Sequence, residues 1–214
     1  MMGKYRSIFL IPAVFLLHLL FLHVPPAFTE SEGPLTEQIR TTVEKVLAIL
    51  GNSSLVEDSE GKKINPEAMA KYRADLRRAI FPQFDVPEMA KRSLGLNWRP
   101  RTPVEKKEFV DLFSHLLEDF FSDKLKSFED EEFVYSGEIK DGDYAKVETM
   151  IVTKEGKEIS IDYRLHLVDE NWKVYDMVIE NVSLVKNYRS QFNRIITKSS
   201  YQDLVRRIRK ITNK

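Results

Sequence analysis

The sequence predicts an α+β fold: helices, then a four-stranded antiparallel sheet, then helices again. Three observations carry this. Apolar residues recur at helical spacing up to Phe121 and again from Leu184. Between them, from Phe133 to Ile179, the apolar period drops to two. Short polar turns join the period-two segments, as an antiparallel meander requires.

Leu35, Ile39, Val43, Val46, Leu47 and Leu50 mark the first helix, and Gly51 stops it. A polar stretch runs from Asn52 to Lys63. Asn65-Pro66-Glu67 opens the second helix, with Asn as cap and Pro at the first helical position. Its stripe is Met69, Tyr72, Leu76 and Ile80, and Phe81-Pro82 ends it. Asp85-Val86-Pro87-Glu88 is a capping box for a short helix that stops at Leu94-Gly95. Thr102-Pro103-Val104-Glu105 is a second capping box. The stripe behind it (Phe109, Leu112, Phe113, Leu116, Leu117, Phe120, Phe121) is wide, so this helix is buried over a broad face.

After the acidic run Glu129 to Glu132, Phe133, Tyr135 and Ile139 read as a strand, and Asp141-Gly142-Asp143 as a turn. The next strand, Tyr144 to Thr153, puts Ala145, Val147, Thr149 and Ile151 on one side. Glu155-Gly156 turns the chain. Ile159, Ile161, Tyr163, Leu165 and Leu167 then alternate with Ser160, Asp162, Arg164 and His166, giving one oily and one polar face. Asp169-Glu170-Asn171 is a hairpin loop, and Trp172 to Ile179 is a fourth strand, apolar on both sides and so covered on both. The chain bends at Glu180-Asn181. Leu184, Val185, Tyr188, Phe192, Ile195 and Ile196 form the next helical stripe. Ser200 caps a last helix with Leu204, Ile208 and Ile211 inward and Arg206, Arg207, Arg209 and Lys210 outward.

The start of the chain reads as an address. Lys4 and Arg6 precede an apolar run from Ile8 to Val24, Pro25-Pro26 breaks it, and Ala27-Phe28-Thr29 is a small-x-small site. Residues 1–29 thus read as a cleaved secretory signal peptide, and residues 30–214 as a single domain without an interdomain linker. Removing Lys4 and Arg6 leaves 31 basic against 33 acidic side chains. That balance gives no electrostatic footprint for nucleic acid.

The 214-residue chain has no cysteine, which excludes disulfide scaffolds, Cys-ligated metal and thiol nucleophiles. Past the leader only His115 and His166 remain, far apart and without metal-like spacing. No Gly-x-Ser-x-Gly, His-Glu-x-x-His or phosphate-cradling glycine loop occurs. The carboxylates of Glu129–Glu132, Asp141 and Asp143 read as solvated linker and turn. The cations Arg206 to Lys210 read as a solvated helix face, with docking to an acidic partner or to anionic headgroups as the alternative. The aromatic side chains concentrate on the Phe109–Phe121 helix and the sheet. A curved sheet with one oily face, roofed by Phe-bearing helices, can hold a cavity. Pattern alone does not separate a filled interior from a hollow one.

Trp172-Lys173-Val174-Tyr175-Asp176-Met177-Val178-Ile179-Glu180-Asn181-Val182-Ser183 resembles the MlaC, or toluene-tolerance, family of periplasmic phospholipid carriers. Phe84-Asp85, Met89-Ala90, Leu94-Gly95 and Trp98-Arg99 are similar to its central helical motif. Thr102, Glu105, Phe109 and Phe113 resemble its next helix, and Asp162-Tyr163-Arg164 and Tyr188-Arg189-Ser190-Gln191-Phe192 its later segments. Before Val182 the family pattern has Gly where this chain has Asn181.

The resemblance implies a lipid-binding domain over residues 30–214, with the curved sheet and flanking helices enclosing an apolar cavity. It implies a soluble periplasmic shuttle that maintains outer-membrane lipid asymmetry. Its partners would be phospholipid, an inner-membrane ABC transporter with an MCE-domain subunit, and an outer-membrane lipoprotein–porin complex. It implies no catalysis, no metal and no cofactor, with bound phospholipid as cargo. Expected lipid-binding residues are Phe109, Phe113, Leu117, Val147, Ile151, Ile161, Tyr163, Leu165 and, at the rim, Val182. Arg164, Asp162 and Asp176 are expected to tie the sheet together. The alternatives are a carrier of a hopanoid or other polycyclic lipid, a secreted cone-shaped-fold enzyme using an acid and His166 inside the cavity, and an adaptor with a solid interior.

Overall fold

A computed structural model describes residues 33–51, 66–125 and 131–212. The helices before the sheet are α1 (Pro34–Gly51), α2 (Pro66–Ile80), α3 (Val86–Leu94) and α4 (Pro103–Leu125). Tight 3-10 turns at Phe81–Gln83 and Gly95–Trp98 flank α3. The strands are β1 (Glu132–Asp141), β2 (Tyr144–Val152), β3 (Glu158–Val168), β4 (Asn171–Ile179) and β5 (Val182–Ser183). Helices α5 (Leu184–Lys198) and α6 (Tyr201–Thr212) close the chain. The expected leader, residues 1–29, lies outside the described residues, as do the polar stretch after Gly51 and the cap at Asn65.

Local signals act as read. The Asp85 carboxylate accepts from the Glu88 amide at 2.9 Å. Gly95, at φ 56°, stops α3 in a left-handed conformation. The capping box before α4 is reciprocal: Glu105 N–H donates to Thr102 Oγ1 at 3.2 Å, and Thr102 N–H to Glu105 Oε2 at 2.8 Å.

The sheet has five strands, in the order β1-β2-β3-β4-β5, with every neighbouring pair antiparallel. The expectation of four strands is therefore corrected. Glu180 and Asn181 both take positive φ, 48° and 63°. This reverses the chain within two residues and lays Val182 and Ser183 against Ile179 and Val178. A two-residue strand is too short to show alternation, so pattern could not reveal it.

Register places Ala145, Val147, Thr149 and Ile151 of β2 beside Leu165, Tyr163 and Ile161 of β3 on one buried face. Irregularities at Tyr135/Gly137 and Arg164/Leu165 mark bulges, which bend and twist their strands. The free edge of β4 is covered twice. Phe84 bridges Val174, where Asp85 N–H donates to the Val174 carbonyl at 2.9 Å, and β5 pairs farther along.

Candidate functional site: an apolar chamber

The chamber lies between the oily sheet face and three helical segments. Helix α1 contributes Ile39, Thr42, Val43, Val46 and Leu47, one stripe at helical spacing. The end of α2 and its 3-10 turn contribute Ile80, Gln83 and Phe84, and the last turns of α4 contribute Phe120 and Phe121. Strand residues Phe133, Ile151, Ile161, Tyr163, Met177 and Ile179 form the floor. Phe84 and Phe121 meet edge to face, with centroids 5.5 Å apart. The chamber has a cavity volume of about 80 Å³, within about 770 Å³ of atom-free space that includes its open mouth. A single water needs about 10–15 Å³, so the interior is hollow but narrow.

Among the described residues, no charged side chain lines it. Thr42 Oγ1 donates back to the Gln38 carbonyl at 2.8 Å. Gln38 Nε2 donates to the Trp172 carbonyl at 3.0 Å and to Gln83 Oε1 at 2.8 Å, tying α1, the Phe81–Gln83 turn and β4 together. Burial pushes the Tyr163 hydroxyl well above its ordinary pKa, so it stays neutral. Water gains few partners on such walls, whereas a hydrocarbon chain loses nothing by entering.

The nine expected site residues divide. Ile151, Ile161 and Tyr163 line the chamber. Val147 and Leu165 share the same sheet face but are fully buried outside its lining, in packed core. Phe109 and Phe113 belong to an aromatic cluster with Tyr188, Phe192 and Tyr201 of α5 and α6, and Leu117 is buried core. The Phe-rich stripe thus serves two ends: its first turns pack on α5 and α6, and only Phe120 and Phe121 reach the chamber. Val182, on the short β5, is 55% exposed and also lies outside the lining.

The α1 wall was legible as a helical stripe, but nothing in its spacing marked which part faces a void. Phe84, Met177 and Ile179 carried no separate signal. His166 sits on the polar sheet face, with Nε2 2.9 Å from Asp85 Oδ2 and rings of Tyr144 and Tyr175 against it. That is the side away from the chamber. His115 is exposed, 3.3 Å from Glu118. Asp176 is buried and takes Arg164 at 3.4 Å, Ser183 Oγ at 2.7 Å and the Val185 amide at 3.0 Å. Among the described residues Asp162 makes no comparable hydrogen bond, and its carboxylate acts only through its attraction for Lys146 on the neighbouring strand.

Helices closing an antiparallel sheet around a chamber with predominantly apolar walls define a binding fold for an apolar body. The model of the family described as MlaC protein matches residues 40–210, and the chain belongs to the MlaC family. It is 26% identical over 137 residues to toluene tolerance protein ttg2D of Pseudomonas putida. That match takes in 63% of this chain and spans 62% of the relative's length. A phospholipid-binding protein of Ralstonia solanacearum, solved in complex with a phospholipid, shares the fold with a TM-score of 0.69 at 24% identity. The superposition covers 83% of this chain and 96% of that one.

Proposed function

We propose that this protein is a periplasmic phospholipid carrier, without enzymatic activity, that delivers lipid between complexes of the two membranes. The inner complex would be an ABC transporter with an MCE-domain subunit, and the outer one a lipoprotein–porin assembly. The observation that carries the reading is the chamber: a hollow with apolar walls, in a chain of the MlaC family whose fold matches a protein that binds phospholipid. A diacyl lipid has roughly 30 methylenes, each worth about 0.8 kcal/mol when removed from water. The total, about 24 kcal/mol, exceeds the roughly 18–21 kcal/mol at which non-covalent affinity saturates. Release into water is thus very slow, and transfer needs direct contact with an apolar acceptor.

Native mass spectrometry with organic extraction of the purified protein tests this. The expected species is a phospholipid at one per chain. A polycyclic lipid in its place, or no lipid, would overturn the reading. Ile161→Glu puts a carboxylate into the chamber floor and should empty it, at a cost of several kcal/mol. Val182→Glu should leave the load intact. The reverse result would move the lipid site to the rim beside β5.

A further inference from the structure

We propose that the exposed face of α5, with the Gly95–Trp98 turn beside it, docks on an anionic lipid bilayer. Residues 181–202 contain Lys186, Arg189, Arg194 and Lys198 and no Asp or Glu, in a chain whose formal charge is zero. At 100° per residue these four fall on one half of α5, opposite the inward Leu184, Val185, Tyr188 and Phe192. All four are exposed. Among the described residues, none has a carboxylate within ion-pair distance. The only side-chain bond in the set is Arg189 Nε to the Arg92 carbonyl, at 2.7 Å.

Several other exposed cations are paired. Arg73 is tied to Asp119 and Arg77 to Glu118. On α6, the basic helix singled out in the sequence, Arg206 and Arg207 both pair with Asp203, and Arg209 pairs with Glu108. The charge that pattern assigned to α6 is thus partly neutralised, with two arginines sharing one carboxylate and Lys210 unpaired among the described residues, whereas none of the four α5 cations has a carboxylate partner there.

An apolar tip stands beside it. Leu96 is 79% exposed. Its turn is held against α5: the Arg189 side chain lies against Gly95, and Asn97 Nδ2 approaches Asn193 Oδ1 at 3.4 Å. Arg99, just beyond, is exposed and has no carboxylate partner among the described residues. Unpaired cations around a projecting leucine fit an anionic headgroup layer with acyl chains beneath. An acidic protein surface would match the charge but gives no reason for the exposed leucine.

The test is flotation of the purified protein with vesicles of phosphatidylcholine alone or mixed equally with phosphatidylglycerol. Binding to the anionic vesicles only, weakening with salt, is expected. Each cation near such a surface is worth about fivefold in partition, so Arg189→Gln with Arg194→Gln should lose about 30-fold. Lys186→Gln with Lys198→Gln, side chains without bonded partners here, should lose as much and guards against a folding defect. Leu96→Asp should weaken binding further. Lys71→Gln with Arg78→Gln removes the same net charge from α2 and should stay within about twofold of wild type. Equal partition on both vesicle types overturns the proposal, as does unchanged binding by both α5 variants or an equal loss in the α2 control. Lipid load is a separate readout, so failure here leaves the carrier reading standing.

Discussion

Glu138 shows how much one side chain on a strand can decide. Helix α1, a wall of the chamber, starts at Pro34 without a Ser, Thr, Asp or Asn cap before it. Its first free amides, Leu35 N–H and Thr36 N–H, each donate at 2.8 Å to Glu138 Oε2 of β1. A Cβ at Gly33 would overlap that carboxylate, so a larger residue there would make the Glu138 side chain shift. Partial burial pushes the Glu138 carboxyl up. The Lys140 ammonium at 2.8 Å and the two amides outweigh burial and hold it below its ordinary value of 4.5. A lowered folded pKa means stability that is complete above pH 4.5 and lost as pH falls through the folded value. Glu138→Gln should cost about 1 kcal/mol at neutral pH. It should also flatten the decline of the denaturant midpoint between neutral and acid pH. Parallel pH profiles for variant and wild type would remove Glu138 from this role.

At the scale of elements, α5 is anchored by Asp176. The Ser183 hydroxyl donates to Asp176 at 2.7 Å and accepts from the Lys186 amide at 3.0 Å. Asp176 Oδ1 takes the Val185 amide at 3.0 Å. One buried carboxylate therefore joins β4, β5 and the first turn of α5, where the helix dipole favours negative charge. Asp176→Ala leaves buried donors unpaired and should cost about 3 kcal/mol by chemical unfolding. Asp162→Ala, by contrast, should stay within about 0.5 kcal/mol. Equal costs would show that the anchor is not at Asp176. Of the expected sheet ties Arg164, Asp162 and Asp176, the structure pairs Arg164 with Asp176. The partners in β5 and α5 were not legible in the sequence, because β5 has no period and its reversal rests on two non-glycine residues at positive φ. Glu180 tolerates that strain while its side chain takes the Ser160 amide at 2.7 Å and its own N–H donates to the Ser160 carbonyl at 3.0 Å.

For the whole molecule, the chamber sets stability and function against each other. An unfilled apolar void costs roughly 24 cal/mol per Å³, or about 2 kcal/mol for the 80 Å³ open here. A ligand present at a hundred times its dissociation constant returns about 2.7 kcal/mol. Protein stripped of lipid should therefore unfold at lower denaturant than protein as purified, and added phospholipid should restore the difference. Ile161→Glu should show no such recovery. Identical midpoints with and without lipid would mean that the chamber holds no cargo.

The sequence by itself determined the helix starts at Asp85 and Thr102, the two faces of β2 and β3, and the family. The helix starts and strand faces depend on neighbours within a few residues, where capping, backbone handedness and side-chain period act directly, and the family is legible in the ordered set of short motifs from Phe84 to Phe192. Tertiary structure decided which apolar residues surround space and which fill it. Phe113 and Phe121 look alike in one stripe, yet one packs on Tyr188 and Phe192 and the other edges a hollow. Tertiary structure also decided which cations stay unpaired, since Glu108, which neutralises Arg209, lies 101 residues away. Voids and ion pairs are properties of surfaces brought together from distant segments, and no local period encodes them.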